Sequence, residues 1–138
     1  MKSNMVSIHF SKEELGDERT GEITLAKGFL DALEQLRVQY DRAMVVTDGC
    51  RSRTTNRWLL SRGYPASLDS FHLIKNTKYT TGGTCAVDIA RPNGTDLALL
   101  LELALRFDWA VGIGRTFIHL DRRVDYTDLK PVVYTYNK

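Results

Sequence analysis

Cysteine is almost missing from this chain: Cys50 and Cys85 are its only two. Two thiols exclude a zinc knuckle, and they do not form a CxxC pair. Two free, partly buried thiols are the expectation, although each lies beside a segment of interest and the pair could sit close together. Proline is also scarce, at three residues, and no linker, internal repeat or low-complexity tract interrupts the chain. Long apolar runs are lacking too. The longest, Leu97 to Leu105, is broken by Glu102 and reads as a buried helix, too short to span a bilayer. The opening Met1-Lys2-Ser3-Asn4-Met5 has no apolar stretch of the secretory kind, so the expectation is a protein that is cytoplasmic as made. No run of Lys and Arg interleaves with aromatic residues, which argues against a nucleic-acid partner.

What remains is an ordinary globular composition. At 138 residues the chain fits one domain with its own core, and its 43% hydrophobic and 26% charged residues argue against disorder. Lys and Arg exceed Asp and Glu by 19 to 17, a net charge of +2. Such mild basicity suits an anionic polymer but does not single one out.

The pattern predicts helices first and strands later. Ser11-Lys12-Glu13-Glu14 has the spacing of a capping box and predicts a short first helix. Ile23, Ala26, Phe29, Leu30, Leu33 and Leu36 recur at helical steps and predict an amphipathic helix from about Glu22 to Tyr40. A short strand follows over Ala43 to Thr47, ended by Asp48-Gly49. Thr54 or Thr55 is placed to cap a helix through Trp58 and Leu60, stopped by Gly63 and Pro65. Residues 66–84 are polar and irregular. Cys85 to Ala90 reads as a strand, and Pro92-Asn93-Gly94 as a turn. Thr95 or Asp96 then opens a helix through Phe107. Trp109 to Gly112 and Phe117 to Asp121 read as a hairpin around Gly114, and Val132 to Tyr136 as a last strand. Without βαβ alternation, this order predicts a single α+β domain with an antiparallel sheet packed on helices.

Three segments could meet around one metal ion: Ser70-Phe71-His72, Ala86-Val87-Asp88 and Phe117-Ile118-His119-Leu120-Asp121. Two imidazoles and one carboxylate supply three ligands and leave a fourth position open, which separates a catalytic zinc site from a closed structural one. Strand alternation puts Asp88 beside small Ala86 on one face and His119 with Asp121 on another shared face. Each residue taken singly has a plainer reading. His119 alone would be a hydrogen-bonded core histidine, Asp88 a turn cap before Pro92, and Arg51 a surface ion-pair partner. His9 reads as a surface or packing residue.

Their combination carries a resemblance. Gly49-Cys50-Arg51-Ser52-Arg53-Thr54-Thr55-Asn56 resembles the G-x-R-S-x-x-x-N segment of the M15 family of zinc peptidases, the group of D-Ala-D-Ala carboxypeptidase-like enzymes and phage endolysins. Ser70-Phe71-His72 and Ala86-Val87-Asp88-Ile89 resemble the two ends of its S-x-H-x-x-G-x-A-x-D-I segment. Gly112-Ile113-Gly114 with Phe117 to Asp121 resembles its last motif, and His9-Phe10-Ser11 with Glu13-Glu14-Leu15 resembles the opening of many members. The likeness runs from about residue 8 to residue 124.

The resemblance implies a hedgehog/DD-peptidase-like fold and Zn2+ held by His72, Asp88 and His119; a monomer is the separate expectation. It implies that Arg51 holds a substrate carboxylate or a developing oxyanion, and that Ser70 gives a hydrogen bond near the metal. The implied substrate is a cell-wall peptide, cut as a carboxypeptidase or as a peptidoglycan endopeptidase. The protein would then reach the wall by release or export, as a phage-encoded lysin does. Two features depart from the family pattern. The step from His72 to Asp88 is lengthened, so that Lys75 to Thr81 looks inserted beside the cleft. The position of the family's usual carboxylate base is Thr116. Asp121 is therefore the candidate base, or else the group that orients a ligand. The alternative expectation is a zinc-binding module of the same fold that turns over poorly, such as a virion component.

Overall fold

Ser11 opens the first helix as the capping pattern predicts. Its hydroxyl accepts the Glu14 amide at 3.1 Å, and the Glu14 carboxylate accepts the Ser11 amide at 2.9 Å. Helix α1 (Lys12–Leu15) follows. The structure is a computed structural model that describes residues 4–64 and 66–136. The first three residues of the chain and Pro65, expected to stop a helix, lie outside the described residues.

Helix α2 (Phe29–Tyr40) is shorter than the periodicity predicts. Gly28 adopts φ 86°, and Leu25 is drawn into a bridge with Thr84 instead. A left-handed residue cannot continue a right-handed helix, so the segment from Glu22 stays extended while still packing its apolar side chains on the core. Strand β1 (Val46–Asp48) leads to α3 (Arg53–Ser61). Its cap is Ser52, whose hydroxyl accepts the Thr55 amide at 3.1 Å, rather than Thr54 or Thr55. The remaining elements are β2 (Ala86–Ala90), α4 (Gly94–Arg106), β3 (Ala110–Ile113), β4 (Phe117–Asp121), a short α5 (Arg123–Tyr126) that periodicity did not predict, and β5 (Val133–Thr135).

The domain is α+β, and its sheet runs β1-β2-β4-β3-β5. The four strands β1 to β4 pair antiparallel, but β5 lies parallel to β3. The expectation of a purely antiparallel sheet is corrected to a mixed one. The chain leaves β4, passes through α5, and returns beyond β3, so the last strand enters in the direction of β3 rather than against it.

Alternation divides the sheet into two chemically distinct faces. Val87, Ile89, Val111, Ile118 and Leu120 are at most 1% exposed and pack with Phe29, Leu33, Leu36, Leu100 and Leu103 of α2 and α4. The other face presents Ala86, Asp88, Gly112, His119 and Asp121, in register: Asp88 lies opposite His119, and Gly112 lies opposite His119 from the other side. Both thiols are free and buried, and burial pushes Cys85 up to about 12. No helix among the described residues is long and apolar enough to cross a membrane.

Asp17 ties α3 to the preceding chain. Its carboxylate accepts the Ser52 amide at 2.7 Å and the Thr55 hydroxyl at 2.8 Å, together with the amides of Arg19 and Thr20. Burial works against the charge, but these donors outweigh it and hold the carboxyl at about 2. The folded value lies below the ordinary aspartate value of 3.8, so the charged form stabilises the fold. That contribution is complete above about pH 4 and fades as pH falls toward 2; it amounts to roughly 1–2 kcal/mol. Asp17→Asn should remove it, flattening the acid limb of urea-derived stability between pH 5 and pH 2. An unchanged acid limb in the variant would reject this assignment.

Candidate metal centre

His72 reaches the polar face from the long loop. Its backbone is pinned there on both sides: the Arg51 amide and the Thr84 hydroxyl both donate to its carbonyl at 2.8 Å. Asp88 comes from the middle of β2 and His119 from the middle of β4, directly opposite. Their ligand atoms converge. Asp88 Oδ1 lies 3.0 Å from His72 Nε2 and 3.0 Å from His119 Nδ1, and the two nitrogens are 3.2 Å apart.

The outer nitrogens of both rings show what this triangle needs. His72 Nδ1 faces the Gly49 carbonyl at 2.9 Å, and a carbonyl only accepts. His72 therefore carries its proton on Nδ1 and turns a lone pair inward. His119 Nε2 faces Asp121 Oδ2 at 2.8 Å, so its proton sits on Nε2 and its Nδ1 lone pair also points inward. With neutral rings, three electron-rich atoms share one small space and no hydrogen lies between them. A cation resolves that repulsion. Ligands about 2.1 Å from a tetrahedral metal stand roughly 3.4 Å from one another, close to the spacing found. Without a metal, protons are drawn in instead. Burial opposes a charged His119, yet Asp121 and Asp88 outweigh it and lift the ring to about 9. Burial likewise opposes the Asp88 charge, and the two imidazoles hold that carboxyl well below the usual range. The buried His72, Asp88 and His119 group can thus hold a metal ion.

A cavity of about 430 Å³ opens over this group. Arg51 and Ser70 line it, as do Tyr79 from the long loop, Arg123, Tyr134 of β5 and Tyr136 just beyond that strand. Sequence reasoning read Tyr134 and Tyr136 as part of a last strand and gave neither them nor Tyr79 and Arg123 a role in the site. Tyr134 and Tyr136 enter because Gly112 has no side chain: a Cβ there would stand 2.8 Å from both rings. Periodicity carries no signal for that placement, which depends on the parallel pairing of β5.

The segment expected to be inserted, Lys75 to Thr81, contributes Tyr79 to the cavity wall. Asn76 donates to the carbonyls of Asp69 and Ser70 and accepts the amides of Lys78 and Tyr79, and Tyr79 stacks on Phe71 at 5.2 Å. Ser70 lines the cavity, but its oxygen accepts the His72 amide at 3.2 Å and so braces the ligand loop. Arg51 pairs with Asp48 at 3.1 Å. Asn56, which ends the arginine motif, lies in a different hollow with Arg53 and Arg57. His9 binds Glu34 at 2.6 Å, away from the site, in keeping with a packing role.

Asp121 requires a correction to its expected role as base. It is 0% exposed, does not line the cavity, and has both oxygens engaged. Arg123 donates to it through Nε at 2.9 Å and through Nη2 at 2.8 Å, beside the bond from His119. These donors outweigh burial and hold its carboxyl at about 2. A carboxylate so enclosed cannot reach a water or a substrate. Its contact with His119 Nε2 at 2.8 Å fits the second of the two roles expected of it, that of orienting a ligand.

Comparison with known protein families, curated proteins and solved structures finds no match for this chain.

Proposed function

We propose that the protein is a zinc-dependent peptidase acting on cell-wall peptides, as its motifs' resemblance to the M15 family implies. The observation that carries this reading is the inward aim of two imidazole lone pairs and one carboxylate oxygen beneath an open cavity. A buried structural site would be closed by a fourth side chain, whereas this one faces 430 Å³ of accessible space. Zinc bound there supplies Lewis acidity, polarising a carbonyl and making water nucleophilic near neutral pH.

The chain's own groups fit the rest of an amide hydrolysis. Water adds its oxygen to the acyl carbon, the C–N bond breaks, and the amine leaves with a proton. Arg51 presents guanidinium donors to the oxygen that gains charge. With Asp121 enclosed, Asp69 is the cavity-lining carboxylate besides Asp88, and it makes no side-chain hydrogen bond or ion pair among the described residues. It is our candidate to take the proton of water and return it to the amine, because it is the lining carboxylate left without a side-chain partner. Asp69→Asn should lower kcat roughly 10²–10³-fold at unchanged zinc content. Unaltered turnover would remove Asp69 from this role.

Purified peptidoglycan tests the whole reading. Zinc-loaded protein should release free amino groups, and a chelator should stop the release. No metal-dependent release would reject the peptidase assignment. It would favour the second reading, a zinc-binding module with little turnover, whose motivating observation is Thr116 at the family's carboxylate position together with the enclosure of Asp121.

A further inference from the structure

Arg51 stands between two hollows. On one side lies the cavity over His72, Asp88 and His119. On the other lies a hollow of about 270 Å³ lined by Asp17, Glu18, Asp48, Thr55 and Tyr64, among others, which also counts Arg51 in its wall. The peptidase reading leaves open whether Arg51 grips a chain end or a chain interior, and the charges around it decide.

A terminal carboxylate needs an uncompensated cation. Neither guanidinium facing the metal cavity offers one. Arg51 Nη2 is 3.1 Å from Asp48 Oδ2, with side chains only 15% and 30% exposed. Arg123 is held in the two-pronged contact with Asp121, which is wholly buried. Beyond Arg51 the balance turns negative, because three carboxylates share the second hollow with that one arginine. A carboxylate placed there meets like charge, whereas a neutral peptide carbonyl still finds the guanidinium N–H groups that Asp48 leaves unused.

We infer that the substrate is an internal amide of an extended peptide, whose chain crosses Arg51 from the metal cavity into the second hollow, rather than the last bond before a free carboxylate. This rests on the peptidase reading and narrows it to an endopeptidase. The residue entering the second hollow is neutral or basic, since Glu18 and Asp48 face it there.

The test uses zinc-loaded full-length protein and two pentapeptide wall stems, identical except that one ends in a free acid and the other in an amide, with products quantified by mass spectrometry. The expected kcat/KM for the amide equals or exceeds that for the acid, within about threefold. A tenfold or greater loss on amidation would overturn the inference while leaving the peptidase reading intact. If the zinc-loaded protein cleaves neither stem nor a cross-linked stem dimer, the peptidase reading falls and this inference with it. Asp48→Asn provides an independent arm. Freeing Arg51 should raise the acid-to-amide ratio of kcat/KM at least fivefold, at unchanged zinc content and thermal midpoint. An unchanged ratio would overturn the inference, which rests on Asp48 holding the Arg51 guanidinium.

Discussion

Asp88→Ala is expected to lower zinc affinity roughly 10²–10³-fold and to abolish metal-dependent hydrolysis. Apparent zinc binding energies of about 10–16 kcal/mol are shared among a few ligands, so one of them carries about 3–4 kcal/mol, and each 1.4 kcal/mol is tenfold. Asp88 is the ligand to choose because its Oδ1 is the corner of the triangle that touches both imidazoles at 3.0 Å. Its charge also offsets that of the cation. The backbone has no reason to change, since Asp88 sits mid-strand with its ladder to β4 made by main-chain groups. Chelator competition measures the affinity, and circular dichroism checks the fold. Affinity within tenfold of the parent would mean that these three residues are not the metal site.

The second large effect lies outside the ligand set. Gly49→Ala should destabilise the protein by about 2–3 kcal/mol, near the upper end for overpacking. A Cβ at position 49 would stand 2.5 Å from the Leu15 carbonyl oxygen and 2.9 Å from its carbonyl carbon and Cα. All three are backbone atoms, so no rotamer change relieves the contact. The same stretch is bonded to α1, with the Cys50 amide donating to Leu15 at 2.8 Å, and movement there displaces the Gly49 carbonyl that fixes the His72 tautomer. Zinc affinity should therefore fall by roughly 10–100-fold as well, the usual range for losing a ligand's outer partner. Urea titration and chelator competition read the two losses separately. A variant as stable as the parent would refute the close approach of α1 to this turn.

Helices α1 to α4 and all five strands were legible, α5 was not, and each legible element is set by local periodicity or capping. The capping box of Ser11, the alternation through Phe117 to Asp121 and the run through Leu97 to Leu105 each point to one local answer. Errors fell where a distant partner overrode the local pattern. The extended chain before Phe29 follows from its bridge to Thr84, and the Ser52 cap is reinforced by Asp17, far away in sequence. The direction of β5 depends on where the chain returns, which no window of a few residues contains.

The candidate site divides in the same way. His72, Asp88 and His119 could be singled out as candidate ligands because the motifs around them resemble those of a zinc peptidase family, and their nitrogen and oxygen donors suit an ion. The enclosure of Asp121 by Arg123, the neutralisation of Arg51 by Asp48 and the entry of Tyr134 through the gap at Gly112 belong to the tertiary structure alone. Each is a matter of which groups lie within about 3 Å of one another across the sheet or a loop. Electrostatic roles change with such distances, whereas the periodicity that specifies helices and strands does not depend on them.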